Sequence, residues 1–242
     1  MPDQYETLVK SHDQLEKVIE FYRDHVEYPT FLSVVGPATG ESVLDVGCGE
    51  GAFTRKLSQH GVSHVVGVDR SEGMIQRARD IEGRQPLGID YEIHDLTTMP
   101  VLGSFDMVTA AHVLHYADDG ESLVAMAKRM YANLAPGGRL ITLVTNTDSS
   151  ARSEEAAGFR THRPVNPREA DSYPISILTD PPTDFYVRYW PRARMERAFE
   201  LAGFGEIASV TLRVSPDTAA EDLDRARLCA ENPIGLLLTA RR

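Results

Sequence analysis

Apolar residues collect in five short runs over the first 145 positions, near 42–46, 64–68, 89–94, 105–110 and 139–145. Between them lie longer stretches, 51–60, 71–82 and 120–134, whose apolar residues recur at helical spacing, as in the face Leu123, Val124, Met126, Ala127, Met130 and Tyr131 behind the polar start Asp118-Asp119-Gly120-Glu121. Strands alternating with helices predict a parallel sheet covered on both faces. Ahead of the first strand, Leu15, Val18, Ile19, Tyr22 and Val26 follow the same spacing, Pro29 breaks the run, and Phe31, Leu32, Val34 and Val35 continue it. Residues 1–40 are therefore expected to form a helical cap. After the fifth strand the periodicity fails: residues 147–184 hold Pro164, Pro167, Pro174, Pro181 and Pro182 among many Ser, Thr and Asp. A structureless loop of that length is uncommon unless it has a function, which predicts an inserted lid over a ligand. Order returns at Asp184–Trp190, then a helix Arg192–Ala202 that stops at Gly203, then strands Glu206–Val214 and Ile234–Thr239, expected to pair as an antiparallel hairpin. The whole chain, 1–242, reads as one domain carrying a cap and a lid.

The first strand runs through Asp45 into Gly47, Gly49 and Gly51, and a helix follows. A backbone that turns this sharply and lies flat against a ligand needs glycine, because a Cβ blocks the approach and disfavours positive φ. Eighteen residues beyond Gly51 the second strand ends in Asp69. Strand, glycine loop, helix, strand and acid make a nucleotide-binding unit whose carboxylate takes ribose hydroxyls. Gly47-x-Gly49-x-x-Ala52 also satisfies the dinucleotide fingerprint. Asp45 tips the balance away from that reading. A pyrophosphate on the helix N-terminus is opposed by a carboxylate, whereas the sulfonium and ammonium of S-adenosylmethionine suit one, directly or through water.

At this point the chain resembles the class I S-adenosylmethionine-dependent methyltransferases, with Asp45-Val46-Gly47-Cys48-Gly49-Glu50-Gly51 as the first motif. Asp69-Arg70-Ser71 with Met74 is similar to the second, which places the acid on the ribose and the next side chains beside the adenine. Asp95-Leu96 is similar to the third, whose carboxylate accepts from the adenine amine. Phe105–His115 is similar to the fourth, with Ala111 on the cofactor floor, and Leu134–Leu140 to the turn before the fifth strand. The resemblance implies a doubly wound, Rossmann-like α/β fold with a seven-stranded, mostly parallel sheet closed by an antiparallel last strand. It also implies S-adenosylmethionine as cofactor and S-adenosylhomocysteine as product. Cys48, inside the loop where only small residues fit, is expected to pack.

A net charge of −11 argues against a nucleic-acid substrate, which needs a basic surface. The two cysteines, Cys48 and Cys229, give neither a disulfide framework nor a metal spacing. No run spans a membrane and the acidic N-terminus does not read as a signal peptide, so the expected setting is the cytoplasm, with no membrane partner. A monomer or homodimer is expected. The Asn/Asp-Pro-Pro-aromatic run of base-amine methyltransferases is replaced by Ala110-Ala111-His112-Val113, and no acidic metal pair takes its place. A small-molecule acceptor is left. His112 and His115, just beyond the fourth strand, are the candidate bases. Tyr5, Tyr22, Tyr116, Tyr186 and Trp190 are candidate acceptor contacts, ring faces being suited to a cationic centre. More narrowly the chain looks like toxoflavin synthase-type enzymes through Pro86–Tyr91, Leu114–Ala117 and Asn232–Leu236, which implies N-methylation of a fused heteroaromatic of secondary metabolism, as in antibiotic biosynthesis. O-methylation of a natural product is the alternative. From other classes, a nicotinamide oxidoreductase and a non-catalytic cofactor-binding module stay open.

Overall fold

The structure, a computed structural model, describes residues 14, 15 and 17–242. Seven strands form one sheet in the order β3-β2-β1-β4-β5-β10-β9: β1 (Ser42–Val46), β2 (His64–Asp69), β3 (Asp90–Ile93), β4 (Phe105–Ala111), β5 (Leu134–Thr145), β9 (Gly205–Val210) and β10 (Gly235–Arg241). β10 runs antiparallel to both neighbours, and β1 to β5 pair parallel. The chain reverses its direction across the sheet between β1 and β4, so the C-terminal ends of these strands open a crevice, the usual ligand position in such folds.

Successive residues of the central strands are buried on opposite faces, as full coverage requires. Val43, Met107 and Leu143 enter a core with α1 (Tyr28–Val35), α2 (Ala52–Gln59), α3 (Glu72–Arg84) and α7 (Leu223–Glu231). Leu44, Val108 and Val144 enter a second core with α4 (Gly120–Ala132) and α6 (Arg192–Ala202). The helix starts obey local chemistry: Ser71 Oγ accepts from Met74 N–H at 3.4 Å, and Asp119 Oδ1 from Ser122 N–H at 2.8 Å. Gly203, at φ 107°, ends α6 in the left-handed conformation.

Three expectations are corrected. Pro29 does not break the first helix; it sits in the opening turn of α1, directly after a π-helical turn, Arg23–Glu27. Proline has no N–H to give the His25 carbonyl, and that oxygen accepts from Ser215 N–H at 2.7 Å instead. Residues 147–184 are not structureless. They hold α5 (Ala151–Ala156) and a three-stranded antiparallel sheet of β6 (Phe159–Thr161), β7 (Ser172–Ile177) and β8 (Thr183–Arg188), in the order β6-β7-β8. β9 and β10 pair as expected but are not a simple hairpin, because α7 lies between them. No helix of the described residues is long and apolar enough to cross a membrane.

Candidate functional site

The glycine loop between β1 and α2 is shaped by contacts that exclude side chains. Gly47, at φ +67°, lies so near Val113 that an added Cβ would come within 2.6 Å of it, and Gly51, at φ +91°, abuts the Tyr91 ring. Gly49 is different: at φ +58°, its added Cβ would meet nothing within 4 Å. The loop thus leaves a bare hollow in which a ligand can lie on backbone.

Asp69 closes that hollow. Its Oδ2 accepts from Gly49 N–H at 2.9 Å and its Oδ1 from Ser71 N–H at 2.9 Å, so one carboxylate ties the loop to the start of α3 and keeps lone pairs for a diol. Burial raises its pKa, offset in part by those two N–H groups and by Arg70. Asp45, 1 % exposed, accepts from Thr54 Oγ1 at 2.6 Å and Thr109 Oγ1 at 2.7 Å. Burial lifts it to about 6 against those hydrogen bonds, with the Asp69 charge adding to the rise. Two carboxylates that resist ionisation, Asp45 buried and Asp69 half-buried, form a strong locus for a cation.

Two cavities meet at Gly47, Asp69, Val113 and Tyr116. The smaller, about 170 Å³, is also lined by Arg70, Asp95 and Leu96. Asp95 there serves its own turn as well, Oδ1 accepting from Thr97 N–H at 2.7 Å. The larger, about 260 Å³, holds Asp45, Cys48, Met74 and Ala111 at its loop side. Beyond them it runs into walls of Phe53, Phe159, Ile175, Ile177, Phe185 and Ile234, with Leu15 and Ile19 of the N-terminal helix. These residues fit S-adenosylmethionine in kind: a bare glycine loop, the carboxylates of Asp45, Asp69 and Asp95, and the apolar Met74 and Leu96 line two adjoining cavities.

On the wall of the larger cavity the structure joins residues that the sequence keeps apart. His112, first beyond β4, takes φ +57°, a conformation uncommon for a non-glycine residue, and its N–H donates to the Leu143 carbonyl at 2.8 Å. The ring lies with Nε2 3.0 Å from Oε1 of Glu27, which is 1 % exposed and comes from the π-helical turn. Insertion turns of this kind are frequent at functional sites. Glu27 escaped the sequence reading; a charged residue beside Val26 and Tyr28 in the run was the available signal. His115, 3 % exposed, sits 6.3 Å from His112 between ring centroids and pairs Nδ1 with Thr145 Oγ1 at 2.9 Å. Burial, then the nearby His112, pushes its pKa down to about 3, so it is neutral and a poor base.

Among the candidate acceptor contacts, Tyr22 and Tyr116 line the larger cavity. Trp190 does not: it is buried in the second core, Nε1–H donating to the Ala117 carbonyl at 3.3 Å. Nor does Tyr186, 49 % exposed, because period-two alternation along β8 turns Phe185 inward in its place. Tyr5 lies outside the described residues.

Comparison with known proteins agrees with this geometry. Residues 43–138 match the family described as methyltransferase domain. The chain is 34 % identical over 113 residues to a ubiquinone biosynthesis O-methyltransferase of Coxiella burnetii, covering 46 % of this chain and 47 % of that protein. It is 28 % identical over 146 residues to the demethylmenaquinone methyltransferase of Lactococcus lactis, covering 59 % and 57 %. The chain thus spans about half the length of the curated relatives it matches. Among solved structures, an S-adenosylmethionine-dependent methyltransferase of Mesorhizobium loti superposes with a TM-score of 0.63 at 26 % identity, over 89 % of this chain and 97 % of that one. With the seven-stranded sheet, the glycine loop, the acid ending β2 and these likenesses taken together, the chain belongs to the class I S-adenosylmethionine-dependent methyltransferases.

Proposed function

We propose that the protein methylates a small, flat, largely apolar acceptor through one weakly acidic N–H or O–H, a ring nitrogen of a fused heteroaromatic being the first reading. The Glu27–His112 pair carries this, standing in an apolar cavity that joins the cofactor cleft. The cofactor supplies an electrophilic methyl group on a sulfonium whose thioether leaves without needing a proton. What the chain must then do is align the acceptor, exclude water and remove the acceptor's proton. Glu27 accepting from His112 Nε2–H fixes the tautomer in which Nδ1 keeps a lone pair, the arrangement a general base requires. As the proton arrives, the carboxylate stabilises the imidazolium. The apolar walls suit a planar ring and keep water out, and the N-terminal helix with residues 147–184 serves as lid.

The apolar part of the larger cavity beyond the glycine loop, walled by Phe159, Ile175, Ile177, Phe185 and Ile234, favours an enzyme over a silent binding module, in which that space would be filled. Oxygen as nucleophile is the second reading, favoured by the ubiquinone biosynthesis O-methyltransferase among the relatives. The test is release of S-adenosylhomocysteine over a panel of N–H heterocycles and phenols. His112→Ala and Glu27→Gln are expected to depress turnover by about 10²–10⁴ for the former and less for the latter, with cofactor affinity kept. A loss below about threefold in both would leave alignment alone as the mechanism.

A further inference from the structure

Besides the base pair, the larger cavity contains a polar group that no hydrogen bond uses. His115 Nε2 is buried and has no partner among the described residues, while Nδ1 of the same ring is held by Thr145 Oγ1 at 2.9 Å. An unmet buried polar atom in a native fold calls for an explanation, and an absent ligand is one. His115 and Thr145 both line the cavity.

Which way the proton points follows from counting donors. Thr145 is buried, and its hydroxyl has no other partner among the described residues than His115 Nδ1. If Nδ1 carried the hydrogen, the threonine hydroxyl and His115 Nε2 would both be left unmet. If the threonine donates to Nδ1, only Nε2–H remains, so this tautomer leaves less buried polarity unsatisfied. His115 therefore carries an unmet donor on a ring that lines the cavity, with the His112 ring 6.3 Å away between centroids. One planar molecule lying against both rings can offer a hydrogen-bonding atom to each.

We infer that His115 reads the acceptor, and that the acceptor carries a hydrogen-bond-accepting atom, a carbonyl oxygen or a pyridine-type nitrogen, within three bonds of the atom that is methylated. The inference rests on the reading of His112 as the base, and it narrows the acceptor from any weakly acidic ring to one of lactam, azole–azine or hydroxy-carbonyl type. A plain phenol or indole lacks the second atom. Its binding would leave Nε2–H buried without a partner, and sites built to hydrogen-bond a substrate discriminate sharply against analogues that cannot do so.

Two probe pairs test this, each differing by a single ring nitrogen in place of CH: 7-azaindole against indole, and 8-hydroxyquinoline against 1-naphthol. Affinities are measured by calorimetry with S-adenosylhomocysteine present, on the full chain and on three variants. The wild-type protein is expected to favour the aza member of each pair by about tenfold, the scale of one buried hydrogen bond. His115→Phe should erase that preference by weakening the aza member alone, and Thr145→Val should reduce it by freeing the tautomer. His112→Ala should depress turnover by about 10²–10⁴ yet retain the preference, so failure of the base assignment is read separately from failure of this one. Equal affinity for both members in the wild type, binding of neither, or a preference that survives in His115→Phe would overturn the inference. Cofactor affinity reports whether each variant has folded, and the wild-type comparison decides the matter even if a variant has not.

Discussion

Asp69 binds the loop and the next helix together through two backbone N–H groups, so its replacement tests the ribose site most directly. Asp69→Ala is expected to weaken cofactor affinity at least about tenfold, the loss of charge-assisted hydrogen bonds worth about 1.5–3 kcal/mol. Unchanged affinity by calorimetry would remove the assignment. Asp45 makes a pH-dependent prediction. Its ordinary value of 3.8 is raised to about 6 in the fold, so folding favours the protonated form, and the stability this brings is lost as pH rises through about 6. A bound ammonium or sulfonium favours the opposite form. Affinity for S-adenosylmethionine should therefore fall as pH is lowered through about 6, while the ligand-free protein becomes more heat-stable over the same interval. Asp45→Asn should flatten both profiles; a wild-type affinity that is level across that interval would show that Asp45 does not act on the cation. These residues were legible in the sequence because their meaning is local: a strand end, a glycine, a fixed interval. Glu27 was not, because its partner is 85 positions away.

At the scale of elements, the small sheet is tied to the end of β5 by a buried cluster. Glu154 accepts from Ser149 Oγ at 2.7 Å, Thr161 N–H at 3.0 Å and the Arg163 guanidinium, and Arg163 also donates to the Thr147 carbonyl. Arg163→Met is expected to cost about 2–3 kcal/mol, since Glu154 keeps its other donors. Hydrogen exchange in β6 and β7 should quicken more than in β1 and β4; uniform quickening would mean the pair serves the whole domain. The helices and strands around the sheet could be read from periodicity, but this small sheet could not. Pro174 lies in its central strand, β7, where a missing N–H argues against any strand at all. α7 was hidden for another reason: Ala226 and Cys229 are its buried residues, a stripe too narrow and too small to stand out.

Taken whole, the molecule places its candidate chemistry at the C-terminal ends of the central strands of a sheet buried on both faces, under a roof of two separate pieces of chain. Leu15 and Ile19 of the N-terminal helix pack on Ile177 of the small sheet, with Phe159 and Phe185 against them. An acceptor that fills the cavity lies beneath that contact. Protection from exchange at 17–35 and 172–188 should rise when S-adenosylhomocysteine and a bound aza-aromatic are both present, as expected of gating segments. Equal protection with and without them would mark the roof as fixed. The π-helical turn in this roof sets a further condition on the protein. It amounts to one residue more than an α-helix needs, and each residue of a helix turns the chain by about 100°. Deleting one residue of the stretch Arg23–Val26 is expected to swing Leu15 and Ile19 off the cavity while Glu27 stays with the following helix, with every side chain of the matched region 43–138 unaltered. On the proposed mechanism the roof over the acceptor is thus set by the length of the segment before the matched region, and two chains alike through all the cofactor motifs can differ in the acceptor they enclose by a single gap.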